Sequence, residues 1–189
     1  MENHLSVSAP PAPRASAARR GIAVAVGALV VAAAAQVVVP VPLSPVPMTL
    51  QPLAVLAVGG LLGAPAGAAA LVLYLAMGVL GLPVFAGGAA GVARLLGPTG
   101  GYLLAFPVAA AVCGALVGRV PAVGRTLLAT AAGMVLIHVG GVAQLALLGD
   151  DPALAFQVGF VPFLTGDLLK IGLAAAVILA VGGRLRGLR

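Results

Sequence analysis

The stretch FLTGDLLKIG, residues 163–172, sets a carboxylate and an ammonium inside an apolar run that extends from about Pro152 to Gly183. Asp167 and Lys170 are the only charged residues of that run. A charge at the centre of a bilayer costs about 2.5–3.5 kcal/mol on insertion scales, so an ionisable pair kept there is a candidate site. At i,i+3 the two side chains share one helix face, about 5–6 Å apart at Cβ. Phe163, four residues before Asp167, joins that face. The carboxylate can accept N–H groups and the ammonium can meet an anion. Two other readings compete: a self-neutralising pair that eases insertion, and a step in a proton relay. For a relay the only nearby group of suitable type is His138, and a lone histidine on an apolar helix is more often a packed residue.

Other residues extend this chemistry. Arg94 lies in a glycine-rich segment away from the other basic residues. Its guanidinium fork can give a carboxylate two parallel hydrogen bonds. Gly87, Gly88 and Gly91 would let backbone approach a ligand, or serve as turn residues. Tyr102, with an apolar body and a polar tip, is either a pocket residue or an anchor at the membrane interface. Thr49 and Gln51 open a helix after a proline-rich segment; Thr49 suits a cap, and Gln51 suits a ligand contact better. Arg94, Lys170 and Asp167 together leave one net positive charge. A small, mostly apolar anion carrying a few N–H donors would fit them.

Several functions are disfavoured. There is no G-x-x-x-x-G-K-[ST] phosphate loop, so any ATP would be used by partner subunits. The chain has four acidic residues, and only Asp167 lies in a span, which is too few for a metal site or an intramembrane enzyme. With no Trp, a large stacking cofactor is also disfavoured. Net charge is +6, but the cations sit at segment ends, which fits membrane topology rather than nucleic acid.

The elements that hold these residues must be membrane helices. The chain is 62% hydrophobic and 7% charged, against roughly 25% charged in a soluble domain. Residues 1–20, rich in Pro, Ala and Ser, read as a disordered tail. The apolar run Gly21–Val39 is longer than a signal-peptide core and reads as a retained first helix. Prolines at 40, 42, 45 and 47 forbid a regular helix through 40–51. Helices follow at about 52–63 and 65–81, divided by Gly63-Ala64-Pro65. After the glycine-rich loop 82–98 come helices at about 99–118, 123–148 and 156–182, and the basic tail 184–189. Six helices with the N-terminus inside place Arg14, Arg19, Arg20, Arg119, Arg125, Arg184, Arg186 and Arg189 in the cytoplasm, with Asp150 and Asp151 outside. Both irregular loops then lie on the outer face. Ala25, Ala28, Ala32 and Ala35 give the first helix a stripe of small residues, which lets another helix pack closely.

Four motifs in order, SPVPMTLQ (44–51), GLPVFAGG (81–88), GPTGGYLLAF (97–106) and GDLLK (166–170), resemble the BioY family. That family is the biotin-binding substrate component of energy-coupling factor (ECF) vitamin transporters. The resemblance covers residues 21–183. It implies a six-helix bundle in the cell membrane, with both termini cytoplasmic and a biotin site near the outer face, capped by the two ordered outer loops. It implies partners too: a transmembrane coupling protein and two ABC-type ATPases. The expected ligand set is Asp167, Lys170, Arg94, Tyr102, Gln51, Thr49 and Phe163, with Phe85, Gly88 and Gly97 from the two glycine-rich motifs. Ala25, Ala28 and Ala32 would meet the coupling protein. Biotin is cargo, so no resident cofactor or metal is expected. The ureido N–H groups suit Asp167, while the carboxylate suits either Lys170 or Arg94.

Overall fold

The computed structural model describes residues 13–42 and 44–184, with side chains from Ala17 onward. The basic tail 185–189 and most of the polar tail, 1–12, lie outside the described residues. Eight helices follow in order: α1 (Pro13–Ala34), α2 (Gln51–Leu62), α3 (Ala64–Val79), a short α4 (Ala93–Leu96), α5 (Gly100–Val117), α6 (Val123–Gly149), α7 (Pro152–Gly159) and α8 (Leu164–Val181). α1, α5, α6 and the α7–α8 pair are long and apolar enough to cross a membrane, while α2 and α3 are shorter apolar helices.

The bundle is inside-out relative to a soluble protein. Leu128, Leu147 and Leu168 are more than two-thirds exposed, whereas Gln51, His138, Asp167 and Lys170 are buried. Apolar surface facing outward with ionisable groups inward is what a hydrocarbon solvent selects. α5 and α6 form the most extensive helix pair, and α2 packs against α1, α3, α5, α6 and α8.

Local chemistry explains the boundaries. Pro52, Pro65 and Pro152 each stand in a first helical turn, where a missing N–H costs nothing. Gly63 alone joins α2 to α3; its φ of 81° is open to glycine and strained for other residues. Asp151 caps α7 by accepting the Leu154 N–H at 2.9 Å.

Two elements depart from the sequence reading. The first helix begins at Pro13, ahead of the apolar run, and ends at Ala34 rather than Val39. Val38–Val39 instead pairs antiparallel with Met48–Thr49. β-branched valines favour extended backbone, and Val39 precedes a proline, which disfavours helix. The last helix is likewise not continuous over 156–182. It breaks between Gly159 and Leu164, with a 3₁₀ turn at Val161–Phe163. Pro162 has no N–H to give to the carbonyl of Val158. Ser44 Oγ donates to that carbonyl instead, at 2.7 Å. The Phe163 N–H turns to Phe160 O, and Tyr102 donates its hydroxyl to the carbonyl of Gly159 at 2.6 Å. Both carbonyls freed by the break are therefore satisfied from other elements, as burial in hydrocarbon requires.

The alanine stripe of α1 has a different use from the expected one. Ala28 and Ala32 are buried within this chain, and α1 packs on α3 and α2; Ala25 alone of the three faces outward. Small side chains permit close approach, and the helices that take advantage belong to the same molecule. Ala28→Leu is accordingly expected to destabilise the bundle by about 1–3 kcal/mol through overpacking. A lowered thermal midpoint of purified protein checks this; an unchanged midpoint would return the face to an external partner.

Candidate functional site

The break before α8 places Asp167 in the first turn of that helix and Lys170 one turn later. Both are buried, about 6% and 5% exposed, so neither charge is screened by water. Lys170 Nζ donates to Asp167 Oδ1 at 3.0 Å. The other carboxylate oxygen, Oδ2, lies 2.6 Å from His138 Nε2, on α6. With Asp167 ionised, Nε2–H is the donor, and charge-assisted bonds of this length are the strong ones. Asp167 is thus held from its own helix on one side and from α6 on the other.

These groups form one wall of a cavity of about 60 Å³ between α2, α5, α6 and α8. The segments 46–52 and 85–99 close it, through Met48, Thr49, Phe85 and Arg94 among others. Tyr102, Phe106 and Phe163 supply ring surface, and Ile137 completes an otherwise apolar lining. The covering segments are tied down from the helices. Gln144 of α6 donates to the carbonyls of Leu95 and Gly97 at 2.9 and 2.7 Å. Gln36 donates to Ala32 O and, more weakly, to Phe85 O.

The charged groups of the lining are in unlike states. Asp167 and Lys170 neutralise each other, whereas Arg94 is exposed and makes no salt bridge among the described residues. A ligand that fills this space meets a hydrogen-bonded carboxylate, a ring-lined middle and an unengaged guanidinium.

Residues 5–187 match the BioY family model. The chain belongs to the BioY family. Among its relatives, the biotin transporter BioY of Thermotoga maritima is 40% identical over 139 residues, covering 74% of this chain and 82% of that one. The probable biotin transporter BioY of Pyrococcus horikoshii is 40% identical over 141 residues, with the same coverages. Among solved structures, the S-component for biotin from an ECF-type ABC transporter superposes with a TM-score of 0.83, at 23% identity, over 90% of this chain and 94% of that one. This likeness gives the fold; membership of a transporter family, together with four long apolar helices, gives an integral membrane protein.

Most of the residues singled out in this BioY chain converge. Asp167, Lys170, Arg94, Tyr102, Gln51, Thr49, Phe85 and Phe163 all line the one cavity. Gly88 and Gly97 do not. Gly88, at φ 76°, is a turn residue beside Gln36, and Gly97 presents its carbonyl to Gln144. Gln51 is less free than expected. Its Nε2 donates to Tyr74 Oη at 2.7 Å, and its Oε1 accepts from Thr49 Oγ1 at 3.1 Å. Tyr74 in turn donates to Val84 O, anchoring the start of the second covering segment. Tyr102 is buried and not an interface anchor.

His138 is the site residue that sequence reasoning set aside as packing. Its partner is 29 positions away on another helix. The available signal was weak: an ionisable residue in an apolar span.

Proposed function

We propose that this chain is the substrate component of an ECF transporter, binding biotin at the outer side of the cell membrane and delivering it inward with ATPase partners. One observation carries the reading: a single cavity gathers a fixed carboxylate, a ring-lined apolar middle and an unpaired arginine. Biotin has the matching parts. Its ureido N–H groups suit the free lone pairs of Asp167, its thioether ring suits Tyr102, Phe106 and Phe163, and its carboxylate suits a cation. Lys170 is already engaged by Asp167, which favours Arg94 for that carboxylate. The cavity is smaller than the roughly 300–1,000 Å³ of typical ligand sites. Seating a bicyclic vitamin therefore requires flexible wall side chains such as Met48 and Arg94 to swing aside.

In this reading α1, α2, α3, α5, α6 and the α7–α8 pair are six spans, and both termini are cytoplasmic. The cationic ends near Arg19, Arg119, Arg125 and Arg184 support that orientation. The segments that cover the cavity then face outward. Lacking a phosphate loop, the chain relies on a coupling protein and two ABC-type ATPases to drive release. A cysteine near Asp150, in a chain without Cys113, is expected to react with an impermeant thiol reagent added to intact cells; labelling near Arg184 instead would invert the topology.

Equilibrium binding of labelled biotin to the purified protein, beside other carboxylate vitamins, tests the function. Saturable binding displaced only by biotin is the expected result. Tighter binding of another small acid would reassign the cargo.

A further inference from the structure

We propose that His138 is a positioning residue for the ligand site: it sets the direction in which Asp167 presents its remaining lone pairs. This rests on the biotin reading for the identity of the ligand, and on geometry for the rest. Asp167 and Lys170 lie on one helix, so their pairing alone fixes the carboxylate only relative to α8. His138 holds the second oxygen from α6, at 2.6 Å, and so locks the carboxylate plane between two helices. Each carboxylate oxygen has two lone-pair positions, so both can still accept a ligand N–H.

The imidazole is itself held in place. Tyr102, Phe160 and Phe163 surround it, with ring centroids 5.9, 5.0 and 6.0 Å away, the first two edge-to-face. Phe160 and Phe163 stand in the break that Pro162 imposes between α7 and α8. Nδ1 of His138 is buried and has no hydrogen-bond partner among the described residues. A proton on Nδ1 would therefore be an orphaned donor, which favours the tautomer with Nε2–H aimed at Asp167. The chain of cause runs from a proline, through a broken helix and the two rings it positions, to the orientation of one carboxylate. His138 also lines the cavity wall, but among the described residues the one hydrogen-bond partner of its side chain is Asp167.

The test is a double-mutant cycle read as biotin dissociation constants on purified protein, which separates a coupled pair from independent sites. His138→Leu is expected to weaken binding about tenfold or more, as the loss of a bond to a charged group does. In an Asp167→Asn background the same change is expected to cost less than about threefold, because the group it orients is already disabled. Equal losses in both backgrounds, or no loss in either, would overturn the proposal. His138→Gln and His138→Asn decide the matter if the leucine variant does not fold. Glutamine reaches the position of Nε2 with a donor and asparagine does not, so near-native affinity is expected only for glutamine. Equal affinities for the two amides would also overturn it. If wild-type protein binds no biotin, the cargo assignment fails instead, and the same cycle applies with the ligand that does bind.

Discussion

Asp167→Asn is expected to raise the dissociation constant for biotin by roughly 10–150-fold, the equivalent of 1.5–3 kcal/mol for hydrogen bonds to a charged group. The amide keeps the shape of the carboxylate and one oxygen, so steric loss cannot explain a drop. Its difficulty is directional. Asp167 lies between two donors, Lys170 Nζ and His138 Nε2. Asparagine can offer its oxygen to one of them and must turn its NH₂ toward the other. The imidazole could accept that NH₂ only by moving its proton to Nδ1, which has no partner. Lys170 is also left as a buried cation without a counter-charge, and an uncompensated buried charge is costly. Titration of folded, monodisperse mutant with labelled biotin measures the effect. An unchanged constant would mean that Asp167 only shields Lys170, and the ligand would then have to be held through Arg94 and Tyr102.

Gly101→Val is expected to remove most of the folded protein, at a cost above about 3 kcal/mol, the upper end of ordinary overpacking. Gly101 on α5 faces Gly140 on α6, the most closely associated helix pair of the bundle. A Cβ at 101 would strike the backbone carbonyl of Gly140 and come within 2.7 Å of Gln144 Cβ. A Cβ at 140 would meet the carbonyl of Gly101 at 2.6 Å. Rotamer changes cannot relieve a clash with backbone, so the helices would have to separate. Separation would also displace Tyr102 and Gln144, which fasten α7 and the glycine-rich segment. Size-exclusion profiles after extraction, with thermal midpoints of any monodisperse fraction, give the readout. A native-like midpoint would show that the two backbones do not meet there.

What the sequence made legible were the features that contrast with their surroundings. Asp167, Lys170 and Arg94 stood out as charges among apolar residues or glycines, and the prolines at 40–47 and the glycine at 63 marked where regular helix must stop. What escaped depended on which surfaces meet. His138 looked inert because its partner is on a different helix. Gln51 looked available because Tyr74, which occupies its amide, is 23 residues away. Ala28 and Ala32 looked like an outward docking stripe because spacing identifies a face without saying what covers it. Pro162 falls inside the helix expected over 156–182, and the gap it opens there brings Phe160 against His138.

The short length of α2 bears on how the protein meets its lipid. At 12 residues it is about 18 Å long, against roughly 30 Å of hydrocarbon. A lipid-facing helix of that length would force the bilayer to thin around it. Its residues are buried or half-buried against five other helices, and Leu53 and Leu61 reach an open apolar groove beside α1. α2 meets the surface chiefly along that groove, so hydrophobic mismatch falls mainly on the helices with exposed apolar faces, α1, α3, α5, α6 and α8. Gln51, at the buried start of α2, is kept away from lipid. Bilayers of different acyl length are expected to load those outward faces first.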